Sequence, residues 1–97
     1  MGTLNWTICK ARTNPNVYNA TEKASGAYTS STSVGTVTNL SANDGDAVRM
    51  HADEAMWVRF GGRTAAVGTG FYIPAGAVLD VVIDAASAGA ASAIDVA

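Results

Sequence analysis

Charge is scarce in this sequence. Of its 97 residues, 14% are Asp, Glu, Lys or Arg, against about 25% in an ordinary soluble domain. So poorly charged a surface is either rich in Ser, Thr and Asn or partly covered by neighbouring molecules. The basic residues Lys10, Arg12, Lys23, Arg49, Arg59 and Arg63 are scattered, and the net charge is −2. Counterion release on nucleic acid needs a basic patch, so a nucleic-acid partner is not expected. No apolar run approaches the ~18 residues that cross a bilayer. Residues 1–6 lack the basic and hydrophobic regions of a signal peptide, and the residues after Gly2 do not complete a myristoylation motif. No membrane partner is expected. Cys9 is the single cysteine, which excludes an internal disulfide and suits a reducing compartment or a particle assembled in one.

Catalytic equipment is missing too. One histidine and one distant cysteine fall short of the three or four donors of a zinc site. The only cluster of titratable groups, His51-Ala52-Asp53-Glu54, reads as a strand end running into a charged turn. No Gly-x-Ser-x-Gly elbow occurs, and no acid is paired with a base. Asn43-Asp44-Gly45-Asp46 lacks the alternating ligands and closing Glu of a calcium loop. Gly68-Thr69-Gly70 runs into Phe71-Tyr72-Ile73 rather than a helix start. The sequons at Asn5, Asn19 and Asn39 are chance matches in a chain rich in Asn, Ser and Thr. The expectation is a protein that is not an enzyme and takes no cofactor and no metal.

What is present is alternation. Leu4, Trp6 and Ile8 share one face of a half-buried strand over residues 4–10, with Asn5, Thr7 and Cys9 opposite. Residues 12–24 are polar and broken by Asn14-Pro15-Asn16. The Ser/Thr/Gly-rich stretch that follows has room for strands at 26–31 and 33–40. The composition of 12–33 predicts an extended arm or long loop, with Tyr18 and Tyr28 as contacts on a partner. Asp44-Gly45 marks a tight turn. Beyond it Val48 and Met50 alternate with Arg49 and His51, then Met56, Val58 and Phe60 with Trp57 and Arg59. Pro74-Ala75-Gly76 is a turn, with Pro suited to its first central position. Residues 78–83 read as a strand covered on both faces, residues 85–92 as a flexible loop, and 92–96 as a last strand with Ile94 and Val96 inward.

Seven to nine short strands with turns every 8–12 residues predict one all-β domain, a jelly-roll-like sandwich or barrel spanning 1–97. A chain of this mass exposes roughly 5,000 Å² when folded and about 14,000 Å² unfolded, a thin margin that favours self-association, as a homotrimer on this reading. Trp57 and Arg59, on the face opposite the expected core, join Tyr18 and Tyr28 as interface candidates, since Trp and Arg are enriched at interfaces.

The run Ala52-Asp53-Glu54-Ala55-Met56-Trp57-Val58-Arg59-Phe60-Gly61, with Phe71-Tyr72-Ile73-Pro74-Ala75-Gly76 and Asp80-Val81-Val82-Ile83, resembles small structural proteins of tailed bacteriophages. The similarity covers roughly residues 46–97. The resemblance implies a virion protein without catalytic residues, often a trimeric capsid decoration (cement) protein on the outer shell. Its partners would be its own copies and the major capsid protein, bridged by many moderate contacts acting together. Head–tail connector, head-fibre and tail proteins are alternatives. So is a small carbohydrate-binding β-module, which would use Trp57, Tyr72 and Tyr28 as an aromatic platform.

Overall fold

A computed structural model describes residues 2–11 and 18–96, giving for residues 11 and 18–21 the backbone only. Among these residues there are eight strands and no helix: β1 (Thr3–Ala11), β2 (Tyr18–Thr29), β3 (Gly35–Ala42), β4 (Asp46–Ala52), β5 (Met56–Arg59), β6 (Phe71–Ile73), β7 (Val78–Val82) and β8 (Gly89–Asp95). They form two antiparallel sheets, ordered β2-β1-β4-β7 and β3-β8-β5-β6. The pairs β5–β6, β4–β7 and β3–β8 nest inside one another and alternate between the sheets. That is how a long hairpin ribbon rolls into a jelly-roll sandwich. β1 inserts between β2 and β4.

Period-two alternation builds the core. β1 contributes Leu4, Trp6 and Ile8, β4 contributes Val48, Met50 and Ala52, and β5 with its flank contributes Met56, Val58 and Phe60; all are buried. Val37, Leu40, Ala42, Ile73, Ile83, Ala91 and Ala93 complete the same cluster. The exposed surface, 5103 Å², matches the roughly 5,000 Å² of a compact chain of this mass.

Several expectations are corrected. Residues 18–29 are not arm or loop but β2, paired along β1 from Thr3↔Thr29 to Ala11↔Tyr18. Residues 12–17 lie outside the described residues. Tyr28 is half-buried and packs on the core, its hydroxyl filling the space where a side chain on Gly35 would stand. A polar strand of this kind carries little hydrophobic signal, yet it closes the sheet edge. β7 is not covered on both faces: it is an edge strand, with Val78 at 55% and Val82 at 56% exposure. The Ala/Ser/Gly stretch does not stay a loop, because Gly89–Asp95 form β8 in the middle of its sheet. Its register is one residue off the expected one. Ala91 and Ala93 point inward, Ile94 is half-buried, and Val96 is 40% exposed. Ala91 and Ala93 join the same core cluster as the larger side chains of β1 and β4. In the 74–77 turn the Ala77 N–H donates to the Pro74 carbonyl and Gly76 takes φ 77°. Pro74 therefore opens the turn and Gly76 is its second central residue, the position that demands positive φ.

β2 is tied down by a bulge. Opposite β1 the register runs Ile8↔Ala24, then Cys9↔Glu22, leaving Lys23 as an extra residue that the bulge re-aims. Lys23 Nζ reaches Asp46 Oδ1 at 2.6 Å, on the far side of β1. Asp46 is buried, and its Oδ2 accepts the Asn43 N–H at 2.9 Å. Burial alone would raise the Asp46 pKa; the Lys23 hydrogen bond, the Asn43 N–H and the Lys23 charge outweigh it and hold the carboxyl below its ordinary 3.8. A depressed folded-state pKa stabilises the native state above the unfolded-state pKa, and that contribution is lost as pH falls through the folded value. Asp46→Asn should therefore be less stable than the parent at pH 7. The gap should close as pH falls below about 4, the ordinary carboxyl range; urea titrations across this range would check it. A gap independent of pH would show that the carboxylate's charge is not what matters.

Candidate protein-interaction surface

The outer face of the β3-β8-β5-β6 sheet carries one ordered row. Trp57 on β5 stands beside Tyr72 on β6 and Ile94 on β8, so three adjacent strands place a large apolar side chain at the same level. Trp57 and Tyr72 are in ring contact, centroids 5.2 Å apart and planes tilted by 49°. Trp57 and Ile94 are half-buried, whereas Tyr72 is exposed. In the next row Arg59 pairs in register with Ser92, and Ser92 with Thr36. Arg59 is half-buried, and its guanidinium donates to the Thr64 carbonyl at 3.3 Å, a contact that leaves most of its donors unused. Ser92 is spent on structure: its Oγ accepts the Ala65 N–H at 2.7 Å and donates to the Arg63 carbonyl at 2.9 Å.

The strand that presents Tyr72 is held against β5 by a close approach at its entry. Gly70 takes φ 111°, and a Cβ there would lie 2.6 Å from the Val58 carbonyl oxygen. That oxygen is backbone and has little room to give. Gly70→Ala should destabilise the domain by about 1–3 kcal/mol from conformation alone, and more from the clash. Gly68, at φ 89° but facing open space, is the control, and Gly68→Ala should lose less. Equal denaturation midpoints for the two variants would refute the close-approach account.

Of the four interface candidates from sequence, Trp57 and Arg59 lie together on this face. Tyr28 lies elsewhere, against the core. Tyr18 enters β2 opposite Ala11, and its side chain is outside the described residues. Tyr72 and Ile94 join Trp57 and Arg59 on this face; the sequence offers Tyr72 only for a sugar-binding platform and Ile94 only as an inward residue. The β5–β6 pairing brings Tyr72 beside Trp57, whereas the third member of the expected aromatic platform, Tyr28, lies on the other sheet. Ile94, expected inward, stands on this face because β8 runs one residue out of the expected phase. Within the cluster at 51–54, Asp53 Oδ1 accepts the Thr3 N–H at 2.6 Å, fastening the β4–β5 turn to the start of β1.

The molecule has a second notable feature at the edge where β6 and β7 face each other. A cleft of about 450 Å³ opens there between the sheets, walled by Phe60, Phe71, Val81 and Ile83 and rimmed by Arg59, Arg63, Asp84 and Ser87. The hydrogen bonds from the Ser87 hydroxyl and N–H hold Asp84 below the usual carboxylate range.

Compared with models of protein families, with curated proteins and with solved structures, the chain matches none.

Proposed function

We propose that the chain is a structural protein of a phage particle, bound to the outside of the capsid as a cement protein that bridges major-capsid subunits. The observation that carries this reading is the Tyr72–Trp57–Ile94 row with Arg59 alongside. Aromatic and Arg side chains on a rigid, half-dry sheet face are the composition of interface anchors. The low charge of the chain supports the same reading, because surface covered by neighbouring subunits needs few charged side chains. Each contact is moderate, and engagement of several subunits by a self-associated ring, a trimer on this reading, multiplies its effect. A sugar-binding platform is less well supported, since the two rings are tilted by 49° and Tyr28 is not beside them.

Quantitative mass spectrometry of purified particles from the source tests the proposal. The expected result is copies in the hundreds, on the order of the major capsid protein. About a dozen copies would replace cement with a head–tail ring, and absence from the particle would end the virion reading.

A further inference from the structure

The cleft between β6 and β7 combines three properties that the fold itself does not need. First, it leaves apolar surface uncovered. Phe71 pairs in register with the buried Val58 and touches Phe60 edge-on at 6.1 Å, so it faces the space between the sheets. Even so it is 47% exposed, and across the opening stands Val81, the half-buried β7 residue on the core side. Second, its rim is net positive. Arg59 and Arg63 stand against one carboxylate, Asp84, whose Oδ1 is engaged by Ser87 N–H and Oγ at 2.9 and 2.8 Å. Third, among the described residues β6 and β7 are each paired on one side only, so their free backbone edges border the opening. Free sheet edges beside a pocket are what strand-adding peptide sites use: main-chain hydrogen bonds hold the segment, and the pocket selects its side chains.

We propose that this cleft captures an extended acidic segment of a protein partner. A bulky apolar side chain of the segment enters between Phe71 and Val81, and a neighbouring carboxylate meets Arg63 and Arg59. Charge complementarity chooses an acidic segment over a basic one, and a planar guanidinium binds carboxylate in a fork. The site lies at the open edge of the sandwich rather than in the Tyr72–Trp57–Ile94 row, and it stands whether or not the chain belongs to a particle.

The test uses the isotope-labelled full chain and blocked peptides, followed by amide chemical shifts. Acetyl-Gly-Asp-Phe-Asp-Gly-amide should shift the amides of Gly70, Phe71, Val82 and Ser87 saturably. Its counterpart with Lys in place of Asp should bind about ten-fold or more weakly, as should one with Ala in place of Phe. Arg63→Ala should weaken the acidic peptide several-fold at an unchanged melting temperature, because the structural bond at this residue is made by its carbonyl. Phe71→Ala, which removes the exposed apolar wall of the slot, should weaken the acidic peptide as well. Equal binding of the acidic and basic peptides, shifts confined to another face, or no saturable shift at millimolar peptide would overturn the proposal.

Discussion

Replacing Phe60 by alanine is expected to lower the unfolding free energy by about 3–5 kcal/mol, the range for deleting a buried aromatic side chain. Phe60 follows β5 directly and is 4% exposed. It continues the Met56/Val58 face and meets Phe71 at the edge of the core. A small domain has roughly 5–15 kcal/mol in all, so the loss is a large share of what holds the chain folded. For a chain of this length each kcal/mol moves the melting temperature by about 4–8 °C, which places the variant some 12 °C or more below the parent. The ring lines the inner wall of the cleft, so water has a route to the space it vacates, and the lower end of the range is expected. Phe60→Leu should retain most of the stability. Urea unfolding of the three proteins would decide the matter, and a Phe60→Ala loss below ~1 kcal/mol would remove this ring from the core.

The core strands were legible because large apolar residues alternate with polar ones in β1, β4 and β5, and the core cluster follows that alternation, although Cys9 and Ala47 on the opposite face are buried as well. The same signal fails where side chains are small or polar. β8 carries Ala91, Ser92 and Ala93, none of which declares a face, and it belongs to the sheet because Met56, Trp57 and Val58 of β5 need a partner strand. β2 is drawn into the sheet by backbone pairing to β1, by the packing of Tyr28 on the core and by the Lys23–Asp46 contact. None of these leaves a hydrophobic period. Strand 78–82 misled for the opposite reason: a run of valines reads as doubly buried, whereas here two of them face solvent at an edge. β3 hides a further irregularity. Its pairing with β8 jumps from Thr36↔Ser92 to Ser41↔Ala90, and Asn39 inside the jump takes φ 66°, a conformation Asn adopts more readily than most residues.

The interaction surface was half legible for a similar reason. Alternation along β5 sets Trp57 and Arg59 opposite the core, but a surface is made across strands, and cross-strand neighbours depend on register. Tyr72 comes from a three-residue strand whose place is set by the close approach at Gly70. Ile94 comes from the strand whose phase small residues conceal.

Trp57→Ala separates stability from assembly. Trp57 is outside the buried core cluster, and its ring meets Tyr72 rather than the residues between the sheets. A residue of a second packed layer would, on truncation, lower the melting temperature of the isolated domain by several degrees for each kcal/mol lost. An interface anchor instead leaves the domain folded and weakens association by ~2 kcal/mol or more, about thirty-fold in Kd. The geometry favours the second outcome. The pair with Tyr72 contributes about 0.5–1.5 kcal/mol to the domain beyond area burial, so a small drop in melting temperature is expected beside a large loss of assembly. Tyr72→Ala should share the assembly defect with less effect on folding, because its ring is already 46% exposed. Phe60→Ala supplies the contrast, with a large melting shift and an assembly loss only in step with unfolding. Thermal melts, light scattering after size exclusion and a particle-binding assay on the three variants give the comparison. A Trp57→Ala protein that melts as low as Phe60→Ala, or that assembles as well as the parent, would mean that the Tyr72–Trp57–Ile94 row anchors no partner.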